Sequence, residues 1–414
     1  MTGDAADLLL ACARVRTEAG PAARPSDVPD WAALLDAADF HNLLPLLYWS
    51  IGRGPADLAD STTANPITNP ISNPITRLPT HQITRFAGVV PEDIAHRLHQ
   101  AYVASAKRTL FLTVNLAELI VRFDEERIPV IALKGPPLAE WLYADPALRP
   151  SFDLDLLIRP ADVPAALALL AREGYRREPY LERLPLKALL EFNCEALVRH
   201  EGRAPIELHW AVAPDDFPFR FDAGILWRSR RTARIGGQDV SVLAPGCLLM
   251  YLCVHGAKHA WSRLIWFADV ARLVDRGVDW QEALALAAEA RCERPFFLGL
   301  LLAHELLDTV VPEAILDRAR ADPIVLSTAR ETAQRLRRVP PFEPSSTART
   351  AYNARLAPRT VDKIRHWAAM FKAPKQDDLE QWNLPTWLFF LYYPLRVQRL
   401  AVKYARRLMG TGER

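Results

Sequence analysis

Cysteine, net charge and long apolar runs are all scarce in this chain of 414 residues, and each scarcity excludes something. The five cysteines (Cys12, Cys194, Cys247, Cys253 and Cys292) are an odd, widely spaced set, which makes no disulfide framework and points to a reducing compartment. The opening Met1-Thr2-Gly3-Asp4 lacks the basic-then-apolar pattern of a secretory signal, so a cytoplasmic location is expected. Lys and Arg number 51 against 49 Asp and Glu, leaving +2; bulk charge therefore gives nucleic-acid binding no support. The uncharged apolar stretches, among them residues 387–395 with Pro394 inside it, fall well short of the ~20 residues of a spanning helix, so no transmembrane segment is expected.

What is present is an ordinary globular composition, 50% hydrophobic and 24% charged, long enough for two or three domains. Residues 1–125 read as an N-terminal helical lobe with apolar residues at helical spacing. Within it, residues 54–88 carry the tetrads Asn65-Pro66-Ile67-Thr68, Asn69-Pro70-Ile71-Ser72 and Asn73-Pro74-Ile75-Thr76. Their prolines forbid helix and remove ladder donors, so this insert is expected to be extended or disordered. Residues 126–245 read as an α/β core: strands over 128–133, 151–158, 194–199 and 205–212, helices over 136–143 and 160–174, and a small hairpin over 234–243 closing at Gly236-Gly237. A helical bundle follows over 246–340. Residues 341–414 read as a polar linker ending in a basic amphipathic helix. The fold class is α+β, a small mixed sheet flanked by N- and C-terminal helical lobes.

Two acids two residues apart on a strand, Asp153 and Asp155, share one face. Such a pair is costly to ionise without a cation between them, and hard oxygen ligands suit Mg²⁺. Glu207 adds a third carboxylate on another strand, with His209 on the same face. The plainer alternative is an exposed strand face with solvated acids. Against it stands the preceding unit of strand, Lys134-Gly135 turn and helix, where glycine permits a tight turn and a helix start attracts phosphate. Lys134 and Arg149 add positive charge at the same place.

These residues carry a resemblance. Ala132-Leu133-Lys134-Gly135-Pro136-Pro137, Arg149-Pro150-Ser151-Phe152-Asp153-Leu154-Asp155, Glu173-Gly174-Tyr175 and Ile206-Glu207-Leu208-His209-Trp210 resemble the bacterial nucleotidyltransferase-like family of the DNA polymerase β superfamily. The helix from Tyr251 to Trp261, with Asp269, matches its later pattern, so the resemblance spans roughly residues 125–310. It implies transfer of a nucleoside monophosphate from a triphosphate, with Mg²⁺ or Mn²⁺ on Asp153, Asp155 and Glu207. Glu207 would also orient or deprotonate the acceptor, a small molecule or peptide. Lys134, Gly135 and Arg149 would hold phosphate. Pro136 and Pro137 depart from the superfamily's Gly-Ser or Gly-Gly turn and remove two N–H donors. The competing class is a protein that keeps this fold for binding or regulation in a biosynthetic pathway without turnover.

Further candidates for substrate contact are His209, His255, Lys258, His259, Arg263 and Asp269. His255 and His259 lie four apart on one helical face. Zinc on these histidines lacks the short cysteine spacing and the glutamate that common zinc motifs use, and histidines simply hydrogen-bonded in a helix interface are the plainer alternative. The C-terminal cations Arg396, Arg399, Lys403, Arg406 and Arg407 either contact a partner or an acidic membrane surface, or form the solvated face of a packed helix.

Overall fold

The computed structural model describes residues 4–14, 30–52, 90–143, 145–182, 184–192, 195–213, 217–219, 222–338, 340–372, 376–382 and 384–408. The insert expected over 54–88 lies outside the described residues. The N-terminal lobe holds α1 (Asp4–Ala13), α2 (Trp31–Phe40), α3 (Leu44–Gly52) and the 34-residue α4 (Glu92–Glu125). The Asp30 carboxylate caps α2 by accepting from the Ala33 amide at 3.0 Å. Helix α4 starts behind Pro91 with Glu92 and Asp93 in its first turn, favourable charges at the positive end of the helix dipole. It buries Ile94, Leu98, Tyr102, Ser105, Thr109, Leu112, Leu116, Leu119 and Phe123, a stripe spaced by three and four that runs its whole length.

The core comprises β1 (Ile131–Ala132), α5 (Pro136–Leu142), β2 (Leu154–Leu157), α6 (Val163–Arg172), β3 (Arg176–Arg177), α7 (Pro179–Glu182), α8 (Leu186–Phe192), β4 (Glu195–Arg199), β5 (Ile206–His209), α9 (Ala223–Arg228), β6 (Arg230–Ile235) and β7 (Gln238–Leu243). They build one mixed seven-stranded sheet in the order β3-β4-β5-β2-β1-β7-β6. The two parallel pairs, β2 with β5 and β1 with β7, lie inside it, and the antiparallel pairs β3 with β4 and β6 with β7 lie at its edges. Strand β1 is shorter than the apolar run that announces it, because Pro129 has no N–H for the ladder. Strands β3 and the first half of β6 are rich in arginine, so the search for apolar alternation passes over them.

Sheet polarity sets the site. Leu154 and Leu156 on β2 and Ile206 and Leu208 on β5 pack into one cluster with Leu112, Leu116 and Phe123 of α4. The alternation of a strand then turns Asp155, Glu207 and His209 to the opposite face. That face meets the C-terminal bundle, made of α10 (Pro245–Lys258), α11 (Leu264–Asp275), α12 (Trp280–Glu289), α13 (Glu293–Leu307), α14 (Glu313–Ala321) and α15 (Pro323–Leu336). Helix α13 is buried along almost its entire length and packs against α10, α11, α14 and α15. A Cβ at Gly256 of α10 would come within 2.5 Å of the Trp261 ring, so the absent side chain makes room for that fully buried indole.

The stretch read as a polar linker instead holds α16 (Ser346–Leu356), α17 (Thr360–Lys372) and α18 (Gln376–Trp382), before α19 (Tyr392–Leu408). The correction has a physical reason: α16 docks through a few buried residues, with Asn353 donating to the Lys258 carbonyl at 3.1 Å and Tyr352 meeting Thr332 at 3.0 Å, rather than through a broad apolar face. In α19, Arg396 and Arg399 pair with the buried Asp378 of α18. Among the described residues, no helix is long and apolar enough to cross a membrane.

Candidate active site

The parallel pairing of β2 with β5 sets Asp155 directly opposite Glu207. His209, two residues along β5, turns to the same face. Its Nε2 lies 3.2 Å from Asp155 Oδ1 and 3.4 Å from Glu207 Oε2. Among the described residues, Asp155, Glu207 and His209 form the one group of ligand-type side chains that brings three ligand atoms within 4.8 Å of one another. The sequence puts Asp153 in this set and His209 outside it. In the structure Asp153 precedes the first residue of β2 and lines the same pocket, while the imidazole takes the place beside the two carboxylates.

Lys134 follows β1, and its Nζ lies 3.0 Å from Asp155 Oδ1. The next residue, Gly135, adopts φ +75° and ψ −140°, a backbone that side-chain-bearing residues avoid. This is the expected turn glycine. Helix α5 behind it has seven residues, of which Pro136 and Pro137 come first and lack N–H groups, so the start of α5 is a poor anion cradle and positive charge here comes from the Lys134 side chain.

Burial shapes the charges. Desolvation, then the neighbouring Asp155 and Glu207, push the Asp153 carboxyl up to about 7, against the pull of Lys134. Asp155 is buried too, but Lys134 and the His209 hydrogen bond outweigh that burial and hold its pKa well below the usual carboxylate range. Burial alone would lower the pKa of Lys134; the three acids around it reverse the direction and keep the ammonium charged. Desolvation and the nearby Lys134 drive the His255 pKa far below its ordinary value, so this imidazole is neutral. The site thus combines one firmly ionised carboxylate, one that titrates near neutrality and a fixed cation.

These groups line a pocket of about 270 Å³, which also receives Tyr251, His255, Lys258 and His259 from the α10 end, Trp266 from α11 and Asn42 from the N-terminal lobe. The rings of His255 and His259 are 4.7 Å apart, and Trp266 sits 5.4 and 5.3 Å from them. An aromatic wall therefore faces the charged floor. Trp266 and Asn42 escape sequence reasoning. Trp266 reads as one more apolar residue in a helix, and Asn42 belongs to a lobe far from the core in sequence.

Three candidates lie elsewhere or serve differently. Arg149 borders the pocket, but its three guanidinium nitrogens are engaged: Nε and Nη2 donate to Asp269 at 2.8 and 2.9 Å, and Nη1 to Ser151 at 2.8 Å. Asp269 also accepts from the Tyr143 hydroxyl at 2.8 Å. This buried pair ties the loop before Asp153 to α11, so Arg149, expected to hold phosphate, and Asp269, expected to contact substrate, are engaged with each other in the structure. Arg263 does not line the pocket. It lies over the Phe40 ring at 3.8 Å and pairs with Glu343 at 3.0 Å, joining α2 to the segment before α16.

None of the curated proteins matches the chain. Among solved structures, an antigenic nucleotidyltransferase-like protein from Paracoccidioides brasiliensis aligns with 18% identity and a TM-score of 0.31, covering 50% of this chain and 96% of that one. The family of uncharacterised nucleotidyltransferases matches residues 27–308, more than half of the chain, a span that holds the whole sheet and every residue lining the pocket. The chain belongs to that nucleotidyltransferase family.

Proposed function

We propose that this protein transfers a nucleoside monophosphate, AMP in the first instance, from a nucleoside triphosphate to a hydroxyl or similar group on a small molecule or peptide. The observation that carries the reading is the gathering of Asp153, Asp155, Glu207, His209 and Lys134 around one pocket. Its oxygen and imidazole donors fit Mg²⁺ or Mn²⁺, with Asp155, Glu207 and His209 as holders and Asp153 beside them. A divalent ion there supplies positive charge to the triphosphate and to the oxygens that share charge in the transition state.

The chain's own residues do the rest. Lys134 and Lys258 hold the triphosphate by charge. Glu207, partly exposed on β5, accepts the proton of the acceptor hydroxyl. The acceptor oxygen then bonds to the α-phosphorus as the bond from that phosphorus to the bridging oxygen breaks, and pyrophosphate leaves. Arg149 and Asp269 hold the loop that carries Asp153 in register.

The test is incubation with a small-molecule cell extract and ATP labelled at either the α or the γ phosphate. The expected result is α-label in a new product together with free pyrophosphate, both absent with Asp153→Asn/Asp155→Asn. Transfer of γ-label alone would refute the reaction class. A second reading, binding without turnover, is favoured by the two prolines at the start of α5. It predicts nucleotide binding with no labelled product.

A further inference from the structure

A second cavity of about 180 Å³ borders the charged pocket and shares Asn42, Pro150 and Phe152 with it. This cavity runs between the turn joining α2 to α3 and one face of α4. Its α4 wall is made of small side chains, Ala101, Ala104 and Ser105, at helical spacing. Ser105 donates to the Ala147 carbonyl at 2.6 Å, which fixes α4 against the segment leading to Phe152. Phe152 itself is 50% exposed although both of its sequence neighbours line the charged pocket. A half-bare aromatic ring at the lip of a phosphate-sized charged site is a stacking platform. Arg108 lies over this ring on the same lip, its Cζ 5.3 Å from the ring centre.

Size and polarity select the occupant. The charged pocket, at about 270 Å³, is smaller than the roughly 300–1,000 Å³ of small-molecule sites, and the two cavities together reach that range. The second cavity is apolar inside, with Asp39, Asn42 and Arg108 at its edge. That distribution suits a flat ring whose polar atoms lie on its perimeter. An acceptor must reach Glu207, yet no residue of β5 lines this cavity. We propose that the cavity between α4 and the α2–α3 turn is the nucleobase pocket, with the base stacked on Phe152 while the triphosphate reaches back to Lys134. This inference rests on the nucleotidyltransferase reading.

The test compares calorimetric titrations of Mg²⁺–ATP and of Mg²⁺–tripolyphosphate, which has no base or sugar, into the wild type, Phe152→Ala and Ala104→Trp. Phe152 and Ala104 are both exposed, so neither change disturbs the core, and circular dichroism checks each fold. The expected result is an ATP affinity lowered about tenfold in both variants, with tripolyphosphate affinity within twofold of wild type. Unchanged ATP affinity in both variants, equal loss for the two ligands, or a wild type that binds ATP no better than tripolyphosphate would overturn the base pocket and leave the phosphate site standing. A wild type that binds neither ligand overturns both the pocket and the reading beneath it.

Discussion

Replacing Asp153 by asparagine is expected to stabilise this protein at pH 8 in the absence of divalent cations. The Asp153 carboxyl is pushed from its ordinary 3.8 up to about 7 by burial and by Asp155 and Glu207. Because the folded-state pKa is the higher one, the unfolded chain releases this proton first. The Asp153 contribution to wild-type stability therefore falls as pH rises from about 4 to about 7 and then levels off. At about 1.36 kcal/mol per pH unit, the separation sets a ceiling of about 4 kcal/mol on the penalty above pH 7. Asparagine keeps the shape and carries no charge, so the variant escapes the penalty. Thermal melts from pH 4.5 to 8.5 should show a small difference at the acid end, widening to several degrees in favour of Asp153→Asn at pH 8. Added Mn²⁺ should narrow the gap, since a cation favours the ionised wild type. A variant no more stable than wild type at pH 8, or a gap that shrinks as pH rises, would refute this account of the site's electrostatics.

Removing one partner of the buried Arg149–Asp269 pair leaves the other charge uncompensated. Arg149→Leu or Asp269→Leu should each cost about 3–5 kcal/mol in denaturant melts, and the double variant should recover part of the loss. The nitrogen of His209 beside two carboxylates should make the site prefer Mn²⁺ to Mg²⁺. Competition calorimetry should show that preference disappearing in His209→Asn. Gly135→Ala should destabilise the fold by about 1–3 kcal/mol, because φ +75° strains any L side chain. The added Cβ meets nothing closer than the Asp153 carbonyl at 3.6 Å, so no steric clash adds to that strain in a thermal melt.

The central strands and their acids are legible in the sequence because apolar alternation and turn residues bound them: Leu154, Asp155 and Leu156 announce which face is core and which is chemistry. The role of Arg149 is not legible. An arginine four residues before a D-x-D pair suggests phosphate, and only folding brings Asp269, 120 residues away, onto its guanidinium. His209 is seen on the correct face, but its approach to Asp155 depends on the register of two strands about fifty residues apart in the chain. The helices over 346–382 are hidden for a different reason. In α16 the polar composition resembles a linker, and isolated anchors such as Tyr352 and Asn353 leave little periodicity to detect.

Calorimetric titration of ATP into wild type and Asp155→Asn, with and without Mg²⁺ or Mn²⁺, bears most directly on the proposed chemistry. Asp155 is the group on which Lys134 and His209 converge. Saturable, metal-dependent ATP binding by the wild type, lost in a variant that circular dichroism shows to be folded, is the expected result. ATP binding that ignores the metal, or that survives Asp155→Asn unchanged, would contradict the assignment of this pocket as a metal-dependent nucleotidyl-transfer site.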